Sequence, residues 1–299
     1  MSEPDIEGRS DLKVVLQFFI VPLSLVAVLV SVFFGLQMLR SRRPDAGATL
    51  DGLRHYEGFL APYVGDVKRW QSGYDLSLLL RSEDRQARSR VLPDLVSAFR
   101  EAGERRDLKL RRYLALALGQ SGDARAAAAL REGAHDGDAQ TRLFSVWGLM
   151  QAGGAPACPE LRAAAADPDR GVRAMAVFAL GALGDRSSEP VLRAALQDRE
   201  TDVRWNAALA LARLGDPAAV PVLIQMLDAP GAPAGARGEG APREGDAALN
   251  AIRGLALLRA PEGRQPLARL AASAPDLRIR EAARLAIDAY GAAPRPGAP

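Results

Sequence analysis

Hydrophobic residues are spaced in two ways along this chain. Residues 14–39 are a run of VVLQFFIVPLSLVAVLVSVFFGLQML with no charge in it. From residue 66 onward, apolar positions fall instead at helical spacing and are broken by short polar turns. The most regular unit starts at Asp169. Val172, Met175, Ala176, Ala179, Leu180 and Leu183 share one helical face, and Gly184 suits a helix C-terminus, where positive φ is needed. Residues 185–188 read as a short turn. Pro190 is placed for a first helical turn, and Leu192, Ala195 and Leu196 make the next apolar stripe. The pattern predicts two antiparallel helices joined by a tight turn.

The unit recurs. Arg111, Arg142, Arg173 and Arg204 are each 31 residues apart. Four residues before each stands an acid (Asp107, Asp138, Asp169, Glu200), and eleven after each a glycine (Gly122, Gly153, Gly184, Gly215). Asp276, Arg280 and Gly291 keep the same internal spacing. A constant period of this length marks stacked supersecondary units, so the expected fold is all-α: an α-solenoid of helix pairs. The copies at either end are degraded. Lys68-Arg69-Trp70 matches Val203-Arg204-Trp205 but has no glycine eleven residues on, and Ala248 stands where an arginine is expected. The repeat array is therefore predicted over 66–291, with a flexible Pro/Gly/Ala loop at 229–245 and a disordered tail at 292–299.

The uncharged run over 14–39 is long enough for a bilayer core, which takes about 20 apolar residues in a helix. It predicts a single transmembrane helix, preceded by a short polar tail (1–13) and followed by a juxtamembrane linker (40–65). A cleaved signal peptide is the rival reading. An acidic leader, a long apolar run and the absence of a small-x-small site before Arg40 argue against it. Arg40, Arg42, Arg43 and Arg54 outnumber Arg9 and Lys13 across the run, which predicts an inner-membrane protein with a cytoplasmic repeat domain. The opposite orientation is the alternative.

Units within 138–230 resemble HEAT repeats of the short bacterial, PBS-lyase HEAT-like type. The residues that carry the resemblance are Val172-Arg173, Ala179-Leu180-Gly181-x-Leu183-Gly184-Asp185, Pro190-x-Leu192 and Leu196. They return as Val203-Arg204, Ala208-Leu209, Leu214-Gly215-Asp216, Pro221-x-Leu223 and Leu227. The resemblance implies a solenoid whose second helices line a concave face. It says little of activity, because the family holds scaffolds, bilin lyases and a metal-dependent hydroxylase.

Two arginine columns are the candidate chemistry. In the acid–arginine column (Asp107/Arg111, Asp138/Arg142, Asp169/Arg173, Glu200/Arg204, Asp276/Arg280), the acid suits a helix start and the arginine can pair with it one turn later. Stacking can also bring each arginine to the acid of a neighbouring repeat, so this column reads as structural. Arg131, Arg162 and Arg193 form a second column at the same pitch, each after a stripe leucine and with no acid at a repeated offset. They read either as solvated arginines covering alanine-rich helices or as a basic stripe that binds an acidic partner. Trp70, Trp147 and Trp205 read as packing residues.

Composition narrows the function. The formal charge of +3 is too small to argue for nucleic acid, and none is expected as a partner. The single cysteine, Cys158, excludes an intrachain disulfide. The two histidines, His55 and His135, are far apart, and the sequence has no His-Glu pairs, phosphate-binding glycine loop or nucleophile–base motif. No cofactor, metal or small-molecule ligand is predicted. The expected function is a membrane-anchored scaffold or adaptor that binds a membrane-associated protein partner. A lyase or maturation factor resembling the bilin lyases is the alternative.

Overall fold

The computed structural model describes residues 85–228 and 246–291. Among them are twelve α-helices and no strand: α1 Arg85–Glu104, α2 Leu108–Ser121, α3 Ala127–Gly133, α4 Ala139–Ala152, α5 Cys158–Ala164, α6 Arg170–Leu183, α7 Glu189–Ala195, α8 Thr201–Leu214, α9 Val220–Leu227, α10 Asp246–Leu258, α11 Arg264–Ser273 and α12 Leu277–Gly291. The expected transmembrane helix, the linker, the loop at 229–245 and the tail lie outside the described residues. No described helix is long and apolar enough to cross a membrane.

The helices alternate in role. The long first helices α2, α4, α6, α8, α10 and α12 pack each on the next. The second helices α3, α5, α7, α9 and α11 pack chiefly against the first helix of the following repeat. A short 3-10 turn, such as Arg186–Ser188, leads into each of these second helices. The predicted stripes form the core: Val172, Ala176, Ala179, Leu180 and Leu192 are buried, as are their equivalents Val203, Ala207, Ala210, Leu211 and Leu223. Trp205 packs against this core, and the Trp147 ring lies against Gly119.

Small residues set the spacing between first helices. A Cβ on Gly148 would come within 2.9 Å of the Gly119 Cα, and one on Gly181 within 2.4 Å of the Ala210 Cβ. Those contacts are closer than non-bonded carbons tolerate, so the glycines are what let α2 approach α4 and α6 approach α8.

The acids at the helix starts act largely as predicted. The side chains of Asp107, Asp138 and Asp169 accept hydrogen bonds from the backbone N–H groups of α2, α4 and α6. Glu200 is the exception and caps nothing. The glycine column also departs once. Gly122, Gly184 and Gly215 have φ of 60°, 68° and 80° in the left-handed helical region, but Gly153 has φ −89° and its neighbour Gly154 carries the positive φ, 54° with ψ −149°.

Candidate interaction surface

The two arginine columns fasten opposite ends of the helix pairs. The first works at the turns that follow second helices. Arg142 donates from Nε and Nη2 to the Asp167 carboxylate, both at 2.8 Å, and Arg173 does the same to Asp198 at 2.8 and 3.1 Å. Arg111 reaches Asp136 from Nε at 2.5 Å and donates from Nη1 to the Phe99 carbonyl. The remaining nitrogen points back. Arg142 Nη1 bonds the carbonyls of Asp136 and Gly137, and Arg173 Nη1 those of Asp167 and Pro168. The Arg142 and Arg173 guanidiniums therefore tie their own entry turns to the turn one repeat on, whereas Arg111 ties that turn to α1.

This differs from the expected pairing with the acid one helical turn earlier. Asp138 and Asp169 spend their carboxylates on backbone N–H groups, so their arginines turn away. The acids that do pair form a column of their own, Asp136, Asp167 and Asp198. Each also accepts from the backbone N–H two residues on, which shapes the turn. Their spacing of 31 was present in the sequence and was the signal available. Asp138 does find an arginine, Arg112, at 2.8 and 2.6 Å, but Arg112 has no counterpart in other repeats.

Charge follows geometry. The Arg173 hydrogen bonds hold Asp198 below the usual carboxylate range, and the Arg112 fork does the same for Asp138. Burial pushes Asp167 up, but bonds from Arg142 and the Asp169 backbone outweigh it and the net shift is downward. Arg142 and Arg173 are raised in turn by their partners. Bidentate pairs of this kind, with side chains only 8–14% exposed, are the strong class of charged hydrogen bond.

The column ends unevenly. Arg204 Nη1 bonds the carbonyls of Asp198 and Arg199 and Nη2 bonds the Thr201 hydroxyl. Arg280 turns both Nε and Nη2 onto the Ala274 carbonyl. Asp276 accepts from the Arg278 backbone and side chain.

The second column works at the turns that follow first helices. Arg162 bonds Asp185 at 2.7 Å and the Ser187 hydroxyl at 2.9 Å, and Arg193 bonds Asp216 at 2.6 Å. Both acids sit 23 residues after their arginine, so an acid does recur at a fixed offset. At the matching place after Arg131 stands Gly154, and Arg131 bonds the Pro156 carbonyl and Glu160 instead. Asp185 and Asp216 also cap the 3-10 turns. Bonds from Ser188, Ser187 and Arg162 lower Asp185 to about 2. The side chains stay partly in solvent, at 37% for Arg131, 30% for Arg162 and 55% for Arg193. Arg100, on α1, stands one period before Arg131 and extends the column, although its nearest acid is Glu132 at 3.4 Å. The spacing alone would have found it.

Cys158 is buried at the start of α5, and burial with the nearby Asp185 carboxylate pushes its thiol up. Among the described residues no cluster of His, Cys, Asp and Glu is placed to hold a metal.

This geometry can be compared with known proteins. The family model for HEAT repeats matches residues 92–171 and 158–236. Over those residues the described array is a solenoid of HEAT-like repeats. No curated protein matches the chain in sequence. Among solved structures, the YibA protein of Escherichia coli aligns over 85% of this chain and 99% of its own, at 15% identity and a TM-score of 0.55. An engineered protein aligns over 82% and 69%, at 16% identity and a TM-score of 0.51. A chain of the CpcE–CpcF complex of phycocyanin lyase from Nostoc aligns over 84% and 96%, at 18% identity and a TM-score of 0.49. At such identities the likeness concerns the fold alone.

Proposed function

We propose that this chain is a scaffold or adaptor, tethered to the bacterial inner membrane by residues 14–39, whose HEAT array binds a membrane-associated protein partner through its second-helix face. The observation that carries the reading is the ordering of Arg131, Arg162 and Arg193. Each is fixed by the next repeat yet keeps about a third or more of its side chain in solvent. An arginine already held in place loses less freedom when a partner docks on it. Because each has an acid of its own, the face recognises by direction of N–H groups and by stacking on planar guanidiniums, more than by net positive charge.

The tether supports the same reading. It holds array and partner in one plane and raises their effective concentration, so a modest interface suffices. The test replaces Arg131, Arg162 and Arg193 together with Glu and measures recovery of crosslinked partners from native membranes, with thermal unfolding as the folding control. A folded variant should recover at least tenfold less. Unchanged recovery would remove the second-helix face from the interaction. Deleting residues 14–39 should release the array from the membrane fraction, and retention there would refute the tether.

A further inference from the structure

At Arg204 the acid–arginine ladder finds no acid at the usual place in the sequence. Arg142 and Arg173 show how a rung is built: Nη1 on two backbone carbonyls, Nε and Nη2 on the carboxylate 25 residues later. Arg204 keeps the first half of that posture, with Nη1 at 2.8 Å from the Asp198 carbonyl and 3.0 Å from that of Arg199. Twenty-five residues on, however, the sequence has Ala229. Among the described residues no carboxylate pairs with Arg204, and its Nη2 rests on the Thr201 hydroxyl. Asp228 lies one position short, in the cap of α9, and forms no pair with it.

The contrast with Arg280 matters. There the guanidinium is turned so that Nε and Nη2 both bond the Ala274 carbonyl. Arg204 has not collapsed in this way. It holds the edge that receives a carboxylate elsewhere in the array, with Nε unengaged among the described residues.

Nearby charge is mixed. Glu200 lies between Arg170 at 3.9 Å and Arg199 at 3.6 Å, and Arg173 is spent on Asp198. Among the described residues Arg204 is thus the cation at this turn with no acid of its own.

We propose that Arg204 is a preorganised receptor for a carboxylate, and that an acidic side chain of a partner protein fills it by taking the place that Asp167 and Asp198 hold in the preceding rungs. This deepens the scaffold reading by naming one chemical group on the partner. It places the contact at the turn after a second helix, on the opposite edge from the turns that Arg162 and Arg193 engage. The site therefore can stand even if the second-helix stripe proves inert.

The experiment uses the full chain in lipid nanodiscs and two fluorescein-labelled peptides, one with three consecutive Glu residues and one with three Gln. The Glu peptide should bind at least tenfold more tightly than the Gln peptide. Arg204→Gln should abolish that preference, Arg204→Lys should weaken it by losing the two-point contact, and Arg131→Gln should leave it intact. Thermal unfolding is read in parallel. Arg173→Gln should lower the midpoint by several degrees, and Arg204→Gln should barely move it. Equal binding of the two peptides would overturn the proposal, as would binding of free glutarate without any peptide preference. A Glu239→Gln, Glu244→Gln double variant whose midpoint falls by several degrees, matched by an equal fall in Arg204→Gln, would also overturn it, by showing the carboxylate to be the chain's own.

Discussion

At the scale of single residues, the repeat supplies its own controls. Ser145 is fully buried in α4, and its hydroxyl has no hydrogen-bond partner. The equivalent places in α6 and α8 hold Ala176 and Ala207, also buried. An unsatisfied buried hydroxyl costs about 1–3 kcal/mol, so Ser145→Ala should raise the denaturant midpoint by about 1 kcal/mol of stability. A fall would mean that the hydroxyl has a partner. The two acid columns can be separated in the same way. Removing Asp198 strands Arg173, whose side chain is 8% exposed, and should cost roughly 2–4 kcal/mol. Removing Asp169 loses only a helix cap, worth about 1 kcal/mol. Equal losses in the two variants would contradict the assignment of the ladder to Asp198. The arginines of this ladder were legible as a column, and their partners stood in the sequence at the same pitch, but nothing there joined the two columns. Helical spacing puts Asp169 one turn from Arg173, and only the fold reveals that Asp169 is committed to backbone N–H groups while Asp198 arrives from the next repeat.

At the scale of helices, the sequence pattern placed the elements well because the apolar stripes are short and punctuated. Gly184 ends α6 at φ 68° as its position foretold. The step from Gly153 to Gly154 was not foreseeable, because either of two adjacent glycines can take a positive φ. What periodicity alone could not show is why small residues recur on the first helices. Gly181 lies in the α6–α8 contact, with Ala210 opposite. Gly181→Leu would force those helices apart and should lower stability by about 1–3 kcal/mol or more, measured by chemical unfolding. The neighbouring Ala182 is exposed, so Ala182→Leu should be close to neutral. If both changes cost the same, the close approach is not what Gly181 provides.

At the scale of the whole molecule, a solenoid is held by contacts between neighbours, so any term repeated at each junction acts on the entire stack. The carboxylates that accept from an arginine of the preceding repeat are such a term, and their response to acid has a definite sign. Asp138, Asp198 and Asp216 are all held below the ordinary value of 3.8, and Asp185 sits at about 2. A group whose folded value is depressed binds its proton more readily in the unfolded chain. The stability it contributes is therefore complete above the unfolded value and is lost as pH falls through the folded one. For Asp185 the window runs from about 4 down to about 2, and for the other three the loss likewise begins below the ordinary value of 3.8. The thermal midpoint of the full chain should be flat from neutral pH to about 4 and then drop steeply. Arg173→Gln removes the cause of the Asp198 shift, so that variant should start from a lower midpoint and fall less over the same interval. Parallel curves for variant and parent would show that the acid sensitivity arises elsewhere. Salt offers a second axis: pairs only 8–14% exposed are screened far less than surface pairs, so 1 M sodium chloride should leave most of the difference in place.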